Sequence, residues 1–165
     1  RDFYIDNNIV VLGWTQMTSK AQQLDAVILD LRLCFNLLRA LGDDLHRDLG
    51  VNTSMRAVME SLARGGEQTV PEIARSRSVS RQHIQVIANR LSRAKLIETR
   101  DNPADKRTFL ISLSDRGQRL FGQIQQREAS EFGRLSRAIS GPELQAVRET
   151  LQKLNAALVN TGERS

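Results

Sequence analysis

Apolar residues recur at Leu24, Val27, Ile28, Leu31, Cys34, Phe35, Leu38, Leu41 and Leu45, the three-and-four spacing of one long helix. Leu29, Leu33 and Leu37 widen that stripe beyond what one small core covers, so two partners must share it. A second helix is predicted from a cap at Asn52 or Thr53 through Met55, Val58, Met59 and Leu62, stopping at Arg64-Gly65-Gly66. Thr69-Val70 reads as a short extended piece, and Pro71 as the first residue of a new helix. After a tight turn at Arg77-Ser78-Val79 another helix opens at Ser80, with Ile84, Ile87, Ala88 and Leu91 on its core side. Leu96 to Arg100 and Thr108 to Leu113 alternate like strands around the turn-forming Asp101 to Lys106.

Ser114 caps the next predicted helix, which runs through Leu120, Phe121, Ile124, Phe132 and Leu135 to Gly141-Pro142. The last helix carries Leu144, Val147, Leu151, Leu154 and Leu158, a three-four-three-four seam. Periodicity alone fits either a subunit contact or a helix folded back on its own core. With a second long stripe at the other end of the chain, a dimer interface through Leu24, Val27, Leu31 and the five seam residues is the expectation.

Composition narrows the class. Aromatics are only 4%, too few for a sandwich or barrel, so a mainly α fold is expected. The formal charge of +5 suits a polyanion partner, and its distribution says more than the total. From Pro71 to Arg119 eleven basic residues face five acidic ones, and no carboxylate occurs from Arg75 to Leu96.

Helix, turn, helix and hairpin is the winged helix-turn-helix order, with the helix from Ser80 shaped for the major groove and the hairpin for the neighbouring minor groove or backbone. With four residues turned to the core, Arg81, Gln82, Gln85, Val86, Asn89 and Arg93 face outward. Arginine can donate twice to guanine, Gln or Asn can pair with adenine, and valine methyls suit thymine. Ser80 at the N-cap can hold a phosphate. Asp105, at a tip meant for DNA, requires a neutralising arginine.

Other chemistry is thin. The single cysteine, Cys34, excludes an internal disulfide, and its apolar setting predicts a buried, inert thiol. His46 beside Asp43, Asp44 and Asp48 reads as a solvated corner, and no set of ligands has metal spacing. No cofactor, metal or catalytic constellation is expected, and no apolar run approaches a membrane span. A reducing cytoplasmic compartment follows.

The segment Thr69 to Gly117 resembles the DNA-binding core of the MarR family of bacterial transcription regulators. The wing carries the most specific part, R-x-x-x-P-x-D-x-R and then L-[ST]-x-x-G, here Arg100, Pro103, Asp105, Arg107, Leu113, Ser114 and Gly117. The resemblance implies a winged helix-turn-helix of order α-α-β-α-α-β-β-α-α whose N- and C-terminal helices form a dimerisation lobe. It divides the chain into a polar segment 1–18, a DNA-binding lobe 51–114, and a dimerisation lobe of 19–50 with 115–165.

It further implies a homodimeric repressor on a pseudo-palindromic double-stranded operator, released by a small lipophilic or aromatic effector. DNA contacts would come from Ser80, Arg81, Gln82, Gln85, Val86, Asn89, Arg90, Lys106 and Arg107, with Asp105 structuring the wing. Phe35, Met55 and Met59, with Trp14 and Met17, would line the effector pocket. Arg77 stands where the family usually has a buried Leu or Met, Ser78 where it has Gly, and Val86 where Arg is frequent. Arg77 is accordingly expected to point to phosphate. The competing class is a winged-helix interaction module without DNA binding.

Overall fold

The structure, a computed structural model, describes residues 19–162. The expected polar segment 1–18, with Trp14 and Met17, lies outside the described residues. Their elements are α1 (Ser19–Leu45), a 3-10 turn (Arg47–Leu49), α2 (Thr53–Gly65), β1 (Gln68–Thr69), α3 (Val70–Ser76) and α4 (Arg81–Arg93). Next come β2 (Ile97–Asp101), β3 (Phe109–Leu113), α5 (Asp115–Leu135), a 3-10 turn (Ser136–Ala138) and α6 (Gly141–Gly162). The predicted order is therefore present, β1 and β2 shifted by a residue at their ends. The three strands form one antiparallel sheet of order β1-β3-β2.

Packing divides the chain into two compact units, one ending at Thr53 and the other beginning at Ser54. In the first, α1 has no buried residue, and Leu24, Val27, Leu29, Leu33, Phe35, Leu37 and Leu38 are all exposed. Cys34 is exposed with them, against the expectation of a buried thiol, because in one chain its helix has no core of its own to enter. The predicted solvated corner is also corrected, since His46 is fully buried. Asp43 works there as a tie: its Oδ1 accepts from the Thr53 backbone N–H and hydroxyl, both at 2.7 Å. Those hydrogen bonds, hydroxyl first, hold its carboxyl below the ordinary Asp range.

The second unit has a conventional apolar core. Met59, Ile73, Ile84, Leu91 and Ile124 are fully buried, each contributing about 1.5–3 kcal/mol by leaving water. A charged contact ties α2 to α5: Arg56 donates through Nε and Nη2 to the two Glu128 oxygens at 2.8 and 2.7 Å. Glu128 is buried, and this contact heads the causes that raise the Arg56 pKa.

Caps define the helix-turn-helix. Thr69 and Glu72 form a reciprocal capping box for α3, the Thr69 N–H donating to the carboxylate at 2.7 Å and Glu72 N–H to the hydroxyl at 3.4 Å. At the other end Val79 N–H bonds Ala74 O and Ser78 N–H bonds Arg75 O, a Schellman closure that needs a left-handed residue. Ser78 supplies it at φ 52°. The C-terminus of α4 repeats the device with Leu96 N–H on Leu91 O, Lys95 N–H on Ser92 O, and Lys95 at φ 57°. Both positions therefore carry a Cβ in a region that favours glycine.

Ser78→Gly and Lys95→Gly are each expected to raise the unfolding free energy by about 0.5–1 kcal/mol, measured from urea midpoints. Glu128→Ala should lower it by about 1.5–3 kcal/mol by removing a charge-assisted contact, Arg56 keeping Glu60 at 2.5 Å as its other partner, whereas Arg56→Met with Glu128→Leu should cost less.

Candidate nucleic-acid interface

Ser80 caps α4, its Oγ accepting from His83 N–H at 3.1 Å. Ile84, Ile87, Ala88 and Leu91 are buried, as their spacing predicts, which anchors one side of the helix in the core. The opposite side presents Arg81, Gln82, Gln85, Val86, Asn89, Arg90 and Arg93, all exposed and none acidic. Val86, at 47% exposure, is an apolar group held in water where a methyl-bearing partner would suit it. Gln85 Nε2 donates to Asn89 Oδ1 at 2.9 Å, so two of these side chains are already linked.

The wing is the β2-β3 hairpin, paired from Ile97 opposite Leu113 to Asp101 opposite Phe109. Its tip is held by short polar contacts. Asn102 Oδ1 accepts from Ala104 N–H at 3.0 Å while its Nδ2 donates to Thr108 Oγ1 at 2.9 Å, closing the turn on both sides. Asp105 Oδ1 accepts the Arg107 N–H at 3.0 Å and Nε at 3.2 Å. The backbone bond is the larger cause, and the guanidinium the next, of a carboxyl held below the ordinary Asp range. The Arg107 side chain is nonetheless 91% exposed, so the same contact steers it without hiding it. Lys106 beside it is exposed.

Between α4 and the wing runs a groove of about 500 Å3, bordered by Arg81, Gln82, Gln85, Asn89, Arg107 and Phe109. Five of these were expected from the sequence, and the fold brings them to one place. Phe109 was missed: at 57% exposure it is an aromatic left open on the sheet face that looks toward α4. It shares its side of β3 with the buried Ile111, and its place at the outer end of the strand exposes it. Asn102, read only as part of a turn, is the second residue missed, and an Asx motif next to Pro103 was its available signal.

Other expected residues fall elsewhere. Arg77, expected to point to phosphate, is exposed, and its Nη1 donates to Ala57 O at 3.1 Å and Ser61 Oγ at 3.3 Å on the side of α2. Arg100, from the wing motif, pairs with Glu67 in the loop before β1, which holds Glu67 below the ordinary Glu range. Met55 and Met59 are buried in the second unit's core, and Phe35 is exposed on α1. Leu24, Val27, Leu144, Val147 and Leu158 are exposed, and Leu31, Leu151 and Leu154 half-buried. Among the described residues no helix is long and apolar enough to cross a membrane.

Comparison with known proteins agrees with this arrangement. The MarR family model matches residues 49–108. A Mycobacterium bovis protein of uncharacterised role is 30% identical over 138 residues, 84% of this chain and 96% of the relative. The Bacillus subtilis HTH-type transcriptional repressor MdtR is 28% identical over 108 residues, 66% of this chain and 70% of MdtR. A crystal structure of a MarR family transcription regulator superposes with a TM-score of 0.77 at 26% identity, covering 90% of this chain and 99% of that one. A variant of E. coli MarR complexed with operator DNA shares the fold, with a TM-score of 0.74 at 18% identity over 83% of this chain and 99% of that one. The chain belongs to the MarR family of transcription regulators, with the family's DNA-binding winged helix.

Proposed function

We propose that the chain is a homodimeric repressor that places one α4 in the major groove at each half of a pseudo-palindromic operator. The observation that carries this is the acid-free outer side of α4 lying across one groove from an Arg107 side chain 91% exposed. A surface meant for ordinary solvation mixes carboxylates with its bases, whereas a phosphate-facing one excludes them.

The roles divide by chemistry. Ser80, Arg90, Lys106 and Arg107 hold sugar-phosphate, which sets position, and Arg81, Gln82, Gln85 and Val86, with Asn89 bonded to Gln85, form the side that faces base edges, which set sequence. Phe109, in the same groove, packs against deoxyribose beside the Arg107 phosphate. The operator-bound E. coli MarR supports this placement through its shared fold, and the repressor MdtR supports the sign of regulation.

Half-sites lie ~34 Å apart, one helical turn, so two copies must be held at fixed spacing. The exposed apolar sides of α1 and of α6 are what a second copy would cover. Release follows if a small lipophilic or aromatic effector changes that spacing, because simultaneous docking tolerates little spreading.

Arg107→Ala should weaken binding to all duplexes alike and lower the salt slope by about 1, read by fluorescence anisotropy across a salt series. No binding of the intact protein to random duplex at low salt would overturn the proposal in favour of a pure interaction module. Val147→Asp with Leu158→Asp should shift the protein to monomer in sedimentation and reduce operator affinity by tenfold or more, an order-of-magnitude expectation from loss of the second half-site.

A further inference from the structure

We propose that Gln85 and Asn89 act as one reading unit for a single A·T pair, Gln85 touching the base and Asn89 positioning it. This rests on the DNA-binding role proposed above and assigns one element of its specificity.

The two residues sit one turn apart on α4, and both are exposed on its outer side. Side chains with this freedom and no partner cost entropy when DNA orders them. Here Gln85 Nε2 already donates to Asn89 Oδ1 at 2.9 Å. A primary amide nitrogen carries two hydrogens, and this bond occupies one. What Gln85 keeps is its second N–H and its Oε1, one donor beside one acceptor on a planar group.

That edge has one complement among the major-groove base edges. Adenine offers the N7 acceptor and the N6 amino donor side by side, whereas guanine offers two acceptors, N7 and O6. The polarity of the bond to Asn89 decides which base is matched. Were Gln85 instead the acceptor, its two N–H groups would be free and guanine would fit. With Asn89 Oδ1 as the acceptor, the edge left on Gln85 matches adenine, and Val86, the next residue, is exposed.

Two independent readers would each lose their own base on truncation. One unit loses the same base whichever member is removed.

The test is selection of bound duplexes from a random pool with wild type, Gln85→Ala, Asn89→Ala and the double variant, with thermal unfolding alongside. Wild type should prefer adenine at one position by about tenfold. Both single variants should flatten that same position to about twofold or less, and the double variant should do no more than Gln85→Ala, all at unchanged melting temperature. Asn89→Asp, which retains the acceptor and adds a charge, should keep the adenine preference while binding all sequences more weakly. Flattening of two different positions, a guanine preference, or an unchanged selected sequence would overturn the unit while leaving DNA binding intact. Failure of wild type to select any sequence would overturn the DNA-reading role itself.

Discussion

Helix α4 is oriented by a backbone junction at the Leu96 carbonyl. That oxygen accepts from Ser114 N–H at 3.1 Å, and Ser114 Oγ in turn donates to Lys95 O at 2.8 Å and accepts Gly117 N–H at 3.0 Å. A Cβ at residue 117 would stand 2.0 Å from the Leu96 oxygen, inside any permissible contact. Glycine there lets the first turn of α5 press onto the chain leaving α4. The hairpin between them becomes a loop closed at its base, so α4, wing and α5 share one frame. This gives the L-[ST]-x-x-G motif a physical content: a cap and a close approach in the same turn.

The other end of α4 is fixed by different means. Its preceding corner needs a left-handed residue, and Ser78 takes that conformation at some strain. Arg77 secures the corner by bonding the Ala57 carbonyl and Ser61 hydroxyl of α2. Helix α2 is itself tied to α5 through Arg56 and Glu128. Burying such a pair adds little net stability, since desolvation offsets attraction, but a bidentate contact admits few geometries. The arrangement therefore spends charge on alignment, and α4 is held at one end against α5 and at the other against α2, two helices that are themselves tied together.

What could be read from the sequence follows from which forces are local. The outer and inner sides of α4 were legible at Ile84, Ile87, Ala88 and Leu91 because helical period sets them directly. The caps at Ser80 and Ser114 were legible from residue type, whereas Thr69, the cap of α3, was read only as an extended residue before Pro71. Cys34 and His46 were misread because exposure depends on what packs over a segment, and the apolar stripe of α1 promised a core that one chain does not supply. The contacts of Arg77 with the Ala57 carbonyl and the Ser61 hydroxyl were not legible, because they exist only once α2 is beside it. Phe109 shows the limit of alternation: it predicts a side of the sheet, not whether the core reaches that far.

The electrostatics of the interface separate attraction from recognition. Glu72, Glu67 and Asp105 flank the basic surface, and each carboxyl is held below its ordinary range: Glu72 by the Thr69 backbone and hydroxyl, Glu67 by Arg100, Asp105 by Arg107. Groups with depressed values stay ionised throughout the neutral range and gain protons only in acid, so these three carboxylates keep their charge there. Salt is then the variable that sets affinity, because it governs the counterion release accompanying each arginine-phosphate contact. The amide contacts proposed for Gln85 and Asn89 carry no net charge and release no counterion. Raising salt therefore weakens random and specific duplexes through the same phosphate contacts while leaving base readout in place. Wherever the specific complex makes no more phosphate contacts than the random one, the preference for the operator survives the loss of affinity.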